Sequence, residues 1–293
     1  MEASMKQKIK RCLLAISKTR AEVVLRFLWI TAAEMRLLWV NASLYLRGAR
    51  KPNEMQREQM RQQVTFLFKS FERQRMAKRL YKNIQRYYPG VRVIIVDDSA
   101  KPLKLKGPQI LQMPFNSGLS AGLNEGLAWV QTPFVVRMDD DERLTLRSDF
   151  HKQLDFLLTH KEVDLVGVIP WNLPFKGSRK RNVLEDYKQF DMAPKPLKLP
   201  HGTAIDADHT VLGKVPNIFI ARAETYRALG YDPKIRMLDH HEFFYRAAGN
   251  LVSVLDSSCY VAHIQCPFDR KYHRYRKDVG GDRIYIAKKH STM

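Results

Sequence analysis

The chain has 293 residues, 45% hydrophobic and 10% aromatic, which suits one large folded domain or two small ones and excludes a disordered chain. Its formal net charge of +20 favours anionic partners: nucleic acid, acidic lipid or phosphorylated substrates. The excess is concentrated at the ends, with 13 Lys/Arg against 5 Asp/Glu in residues 1–63 and 8 against 3 in residues 267–293. Three cysteines, Cys12, Cys259 and Cys266, show no metal-finger spacing and build no disulfide framework, which points to thiols in a reducing compartment.

Residues 5–47 read as helix, with Leu13, Ile16, Val24, Phe27, Leu28, Leu38 and Leu44 at helical spacing. Lys and Arg are interspersed with Trp29, Trp39 and Tyr45, a pattern that suits a helix lying in a membrane interface beside anionic lipid. It equally suits a helix packed on its own domain or on a second subunit. Arg26, Glu34 and Arg36 interrupt the apolar stretches, and the ten uncharged residues between Arg36 and Arg47 fall short of the ~18 a spanning helix needs. Neither a span nor a cleavable leader is expected. Residues 48–53 read as a break and Glu54 to Gln63 as a polar connector.

From Val64 the pattern alternates. Strands are expected at Val64–Phe68, Val91–Val96, Gln109–Met113, Pro133–Met138 and Val163–Val168, with helices at Glu72–Tyr88, Gly118–Val130 and Leu146–His160 between them. Such alternation implies a mostly parallel sheet with crossover connections. Residues 170–215, rich in proline and holding the basic run Lys176 to Arg181, read as an irregular stretch suited to an acceptor-binding region or a surface loop. A strand at Asn217–Ala221, helices at Ala223–Leu229 and Leu238–Ala248, and strands at Leu251–Leu255 and Cys259–Ile264 follow, before a basic, aromatic tail.

Two acidic clusters stand where apolar strands end: Asp97-Asp98 and Asp139-Asp140-Asp141. Ligands of open α/β sheets bind at those ends. Hard carboxylate oxygens suit Mg²⁺ or Mn²⁺ shared with substrate phosphates, although an acid triplet alone is also a solvated turn. Asp97 or Asp98 can accept a hydrogen bond from a base or ribose, or simply cap a turn. Asn116-Ser117-Gly118 lets the backbone approach a ligand, with a helix N-terminus behind it that can face an anion. Asp239-His240-His241-Glu242 opens a helix and offers a general base; a zinc site fits poorly, since adjacent histidines point to different helix faces. An acidic helix start favoured by the dipole remains the plain alternative.

The stretches VTFLFKSFER (64–73), YYPGVRVIIVDDSAKP (87–102), MPFNSGLSAGLN (113–124), VVRMDDD (135–141), DLVG (164–167) and YDPKIRMLDHHEFF (231–244) occur in this order. Together they resemble an inverting GT-A glycosyltransferase of the family 2 type, closest in motif to the ganglioside β-1,4-N-acetylgalactosaminyltransferases. The resemblance implies an α/β fold: a Rossmann-like, mixed and mostly parallel sheet flanked by helices. It divides the chain into a basic helical extension (1–62), a GT-A domain (63–270) and a basic C-terminal tail (271–293).

The resemblance also implies roles. Lys69, Phe71 and Arg73 would line the nucleotide pocket, Asp97 or Asp98 would hold uracil or ribose, and Asn116, Gly118 and Asn124 would border the donor. Asp139 and Asp141 would form a DxD-like metal motif with His263 as a further metal or phosphate ligand, and Asp140 between them would serve the structure and the cofactor side. Glu242, the acid of the HxEFF pattern, would be the first choice of general base, and Asp239, by the alternative acidic-pair-to-Arg alignment, the second. The implied activity is inverting, metal-dependent transfer from a UDP-sugar, UDP-N-acetylgalactosamine first, to a glycan or lipid-linked hydroxyl in surface polysaccharide or glycoconjugate synthesis. The cofactor would be Mn²⁺ or Mg²⁺. The expected setting is the cytoplasmic face of a bacterial inner membrane, peripheral to anionic lipid, with no nucleic acid as partner and the N-terminal helix available for homo-oligomers. One departure stands out: many relatives have Gly-Arg-Asn where this chain has Gly122-Leu123-Asn124. If that arginine holds the diphosphate, another cation must replace it; an inactive transferase fold, or a nucleic-acid-binding protein using its basic ends, is the rival reading.

Overall fold

The computed structural model describes residues 21–175, 195–276 and 280–290. Among these, nine strands form one mixed sheet in the order β3-β2-β1-β4-β8-β6-β9-β5, with β7 on β9. The strands are β1 (Val64–Ser70), β2 (Arg92–Asp97), β3 (Gln109–Gln112), β4 (Phe134–Asp139), β5 (Glu142–Leu144), β6 (Leu165–Asn172), β7 (His209–Val211), β8 (Phe219–Arg222) and β9 (Ser253–His263). The helices are α1 (Glu22–Leu46), α2 (Glu54–Gln63), α3 (Gln74–Tyr87), α4 (Leu119–Ala128), α5 (Phe150–Thr159), α6 (Ala223–Leu229), α7 (Asp239–Ala247), α8 (Arg270–Tyr275) and α9 (Gly280–His290).

Both faces of the central strands are covered, which is why they read as unbroken apolar runs. Side chains alternate across the pleat. Phe66, Phe68, Ile95 and Val136 pack on one face with Leu80 and Ile84 of α3 and Leu154 of α5. Leu67, Val96 and Val135 pack on the other with Leu123 and Leu127 of α4, Tyr226 of α6 and Phe243 of α7. Strands β1, β2, β3 and β4 are parallel, and β8 enters antiparallel to both β4 and β6. The chain leaves β3 and returns on the far side of β1 as β4, so the strand order reverses between β1 and β4. A crevice opens at the carboxyl ends of the strands at such a point. The register there sets Lys69 beside Asp139 and Ser70 beside Asp97.

Four segments depart from the sequence expectations. Residues 54–63 form a helix rather than a connector: Asn53 accepts from the Gln56 N–H at 3.0 Å and Gln56 Oε1 accepts from the Asn53 N–H at 2.8 Å, a capping box ahead of good helix formers. The two late strands are one, β9. Ser257-Ser258-Cys259 is a bulge, not a break; the Asp256 carboxylate accepts from the Ser258 and Cys259 N–H groups, and the β6 register passes from Asp256 to Tyr260. Within 170–215, Pro170 to Asn172 prolong β6 and residues 209–211 form β7, while the basic run Lys176 to Arg181 lies outside the described residues. The short β5, pairing with the end of β9, was not foreshadowed by any periodicity.

Helix α1 lies against the same end of the sheet. Ala33 and Leu37 pack on Met76, Ala262 and Ile264, and Asn41 Oδ1 accepts from the Leu146 N–H at 2.9 Å. The expected part of this helix before residue 21 lies outside the described residues. No helix among the described residues is long and apolar enough to cross a membrane.

Candidate active site

The carboxyl ends of β1 and β2 bring Lys69, Asp97 and Asp98 together in buried surroundings. Asp97 is fully used by its own loop: it accepts from Ser99 Oγ at 2.6 Å and from the Leu103 N–H at 2.7 Å. Asp98 turns the other way, pairing with Lys69 Nζ and accepting from the Gly118 N–H at 3.3 Å. Burial pushes the Asp98 carboxyl up and the Lys69 ammonium down, each opposed by the other's charge. Asn116 and Gly118 both hold positive φ, 57° and 97°, conformations that asparagine tolerates and glycine favours. The resulting loop wraps over Asp98 and presents its backbone to the crevice. Asn124 instead ties α4 to a later loop, through hydrogen bonds of 2.8 and 2.7 Å with the N–H and C=O of Tyr231.

The acid triplet divides its tasks. Asp139, the most exposed, pairs through Oδ1 with the buried Arg137 at 2.9 Å. Arg73 spans Asp140 and Asp141, meeting Asp141 Oδ2 at 2.9 Å. Burial drives Asp140 up despite Arg73, whereas for Asp141 the pull of Arg73 outweighs burial and holds it down. Asp140 Oδ2 is buried with no partner among the described residues. Asp141 Oδ1 lies 3.7 Å from His263 Nε2, and His263 Nδ1 lies 2.7 Å from Asn172 Oδ1. With Nδ1 donating to Asn172, Nε2 carries its lone pair towards the Asp141 carboxylate. An imidazole and a carboxylate oriented in this way suit a divalent ion whose other ligands are water and substrate phosphates. Among the described residues, no group of three or more His, Cys, Asp or Glu side chains is placed to hold a metal ion by itself.

A cleft of about 300 Å³ opens beside these groups; Asp97, Asp98, Asp141 and His263 are not among the residues that line it. Lys69, Phe71 and Arg73 follow β1 into it, Asn116 and Gly118 form one lip, Asp139 and Asp140 lie at its floor, and Asp239 and His240 of α7 face it from β8's side. Tyr272, Tyr275 and Arg276 close it from α8. Arg73 stacks on the Tyr272 ring at 3.8 Å, and Phe71, Phe115 and Tyr275 form an aromatic triangle with centroids 5.1–5.9 Å apart. Asp239 is buried, its Oδ2 has no partner among the described residues, and burial raises its carboxyl to about 6 against the opposing charge of Arg137.

Glu242 stands elsewhere. It does not line the cleft; its Oε1 accepts from Arg246 Nε at 2.7 Å and Lys289 Nζ at 2.8 Å. Burial would raise its carboxyl, but these two cations hold it below the ordinary glutamate range. Of the two sequence candidates for a base, only Asp239 meets the cleft.

Several residues in and behind the cleft escaped the sequence reading. Arg137 was hidden inside an apolar strand. Arg236 and Arg276 bring cations to the cleft, whereas Leu123 is turned into the core from α4. Asp282 of α9 accepts from the N–H groups of Met237 at 2.6 Å and Leu238 at 3.0 Å, and so fixes the segment entering α7. The basic, aromatic tail was the available signal for Tyr272, Tyr275 and Arg276; nothing in the sequence singled out Asp282.

A parallel-then-mixed sheet with a strand-end acid triplet and a cationic, aromatic cleft defines a nucleotide-sugar transferase fold of the GT-A type. Residues 65–249 match Glycosyl transferase family 2, and the chain belongs to that family. It is 30% identical over 240 residues to "Beta-1,4 N-acetylgalactosaminyltransferase 1" of Rattus norvegicus, which covers 77% of this chain and 45% of the relative. The chain thus spans less than half the length of that relative. Among solved structures, S. aureus TarS 1-349 in complex with UDP-GlcNAc superposes with a TM-score of 0.52 at 14% identity, covering 70% of this chain and 60% of that one. The mannosyltransferase PcManGT of Pyrobaculum calidifontis, in complex with GDP-Man and Mn²⁺, gives 0.51 at 14% identity over 87% and 70%. These two likenesses establish the fold.

Proposed function

We propose that the chain transfers a sugar, N-acetylgalactosamine first among candidates, from a UDP donor to a hydroxyl of a glycan or glycolipid in one inverting displacement. The observation that carries this reading is Asp239: a buried carboxyl raised to about 6, lining the cleft that the strand-end acids also line. A carboxylate so placed is matched to take a proton from an acceptor hydroxyl near neutral pH. Lys69, Arg73, Arg236 and Arg276 offset the charge of a donor diphosphate, and the Phe71–Phe115–Tyr275 triangle offers flat surfaces to a base. Asp141 and His263, with Asp139 at the cleft floor, would hold Mn²⁺ or Mg²⁺. Such an ion, when bound, would act as a Lewis acid towards the leaving diphosphate. The donor assignment rests on the activity for which the 30%-identical relatives are named.

The test is a panel of UDP-sugars scored for hydrolysis and for transfer to glycan acceptors, with and without EDTA. The expected result is turnover of UDP-N-acetylgalactosamine that EDTA abolishes and that Asp239→Asn lacks. Turnover indifferent to both would overturn the reading.

A further inference from the structure

Helix α1 is apolar on two opposite faces. Ala33, Leu37 and Val40 lie on a narrow arc against the body. At about 100° per residue, Val24, Phe27, Leu28, Met35, Leu38 and Trp39 fall on the opposite side within an arc of about 120°. Each of these six is more than half exposed. An apolar stripe of this size on a folded protein marks a surface that something covers.

The second observation is charge. A groove of about 1300 Å³ runs between α1 and the start of α3, with Val23 and Phe27 on its apolar wall. Arg75, Lys78, Lys101 and Lys104 line the opposite wall, and among the described residues none has an acidic partner within 4 Å. Other cations of the same groove are matched: Arg26 with Asp269, Arg79 with Glu34, Lys271 with Glu72. The unmatched four adjoin the exposed apolar stripe.

We infer that this combined surface docks on an anionic phospholipid bilayer, with the outer face of α1 in the interface and the groove cations on lipid phosphates. A second copy of the chain fits less well. A twofold contact sets the same patch on itself, which would bring the four unmatched cations of each copy together in a chain already at +20. Residues 1–20 add six Lys/Arg against one Glu in sequence, in keeping with an anionic partner. Arg73 lines both this groove and the donor cleft, so docking would set the cleft beside the membrane surface. The inference stands apart from the donor chemistry, because its test involves no turnover.

The experiment is cosedimentation of the full chain with vesicles of phosphatidylcholine alone or mixed with phosphatidylglycerol, beside sedimentation of the free protein. Two variants accompany it, Lys78→Gln/Lys101→Gln/Lys104→Gln and Phe27→Ser/Leu28→Ser/Leu38→Ser, each checked for an unchanged thermal midpoint. Retention is expected on the anionic vesicles, weakly or not at all on the neutral ones. A basic residue near an anionic surface contributes about fivefold in partitioning, so the lysine variant should bind about 100-fold more weakly. The serine variant should lose retention as well. Equal retention on neutral vesicles, retention kept by both variants, or an apolar-face dimer dissolved by the serine changes would each overturn the inference.

Discussion

Replacing Asp239 by Asn tests the catalytic reading through two effects of opposite sign. In the folded protein the carboxyl is raised to about 6 from an ordinary 3.8, chiefly by burial, with Asp139 adding to the rise and Arg137 and Arg276 opposing it. That gap corresponds to about 3 kcal/mol by which the folded state disfavours the ionised form. The sign follows by linkage: the proton is held more tightly in the folded state, so stability from this group is fully present below about pH 4 and is lost as pH rises through about 6. Asp239→Asn removes the charge, so above pH 7 the variant should be more stable by about 1–3 kcal/mol, the range allowing for an amide that needs its own partners. Its stability should also be flatter than wild type between pH 4 and 6. Transfer should fall about 10²–10⁴-fold, the usual contribution of a general base, and wild-type kcat should rise with pH through about 6. Denaturant melts across pH, set beside kcat/KM profiles, read both. A structural carboxylate behaves otherwise: Asp97→Asn should only destabilise, since Ser99 Oγ and the Leu103 N–H use different oxygens and an amide can accept from only one of them. A less stable Asp239→Asn, or one that retains wild-type kcat, would refute the reasoning.

Glu242→Gln should leave kcat within a few-fold while costing about 3 kcal/mol in denaturant melts, because Arg246 and Lys289 lose their carboxylate; a loss matching that of Asp239→Asn would return the base to Glu242. Arg276→Gln should raise the KM for the UDP-sugar more than it lowers stability, with calorimetric UDP binding as the check. Asp282→Ala should cost about 1 kcal/mol, as for a lost helix-start acceptor, and lower kcat by loosening the approach to α7, while Asp282→Asn recovers part of both. His263→Ala should weaken Mn²⁺ affinity measured by titration calorimetry, with thermal stability in EDTA little changed.

What the sequence made legible follows from how locally each feature is specified. The β1, β2 and β4 strands were readable because both their faces are buried, leaving long apolar runs whose ends fall at acids. Asp139 to Asp141 could be placed at a strand end, but their division of labour could not, since Arg73 lies 66 positions before Asp139 and reaches the acids only through the β1–β4 register. The different surroundings of Asp239 and Glu242 could not be read locally for the same reason. Both open one helix, and what separates them is Arg137 from β4 on one side and Lys289 from α9 on the other. Leu123 looked like a missing diphosphate cation because a motif is read along the chain. In space, α4 buries that position, and Arg236 and Arg276 reach the cleft from segments far along the sequence. A donor site of this kind needs a local net positive charge more than it needs that charge at a given motif position, because Coulombic attraction depends on distance and burial and not on chain order. The same logic explains why the C-terminal segment, read as a basic tail, meets the cleft: Tyr272, Tyr275 and Arg276 line it beside residues far earlier in the chain.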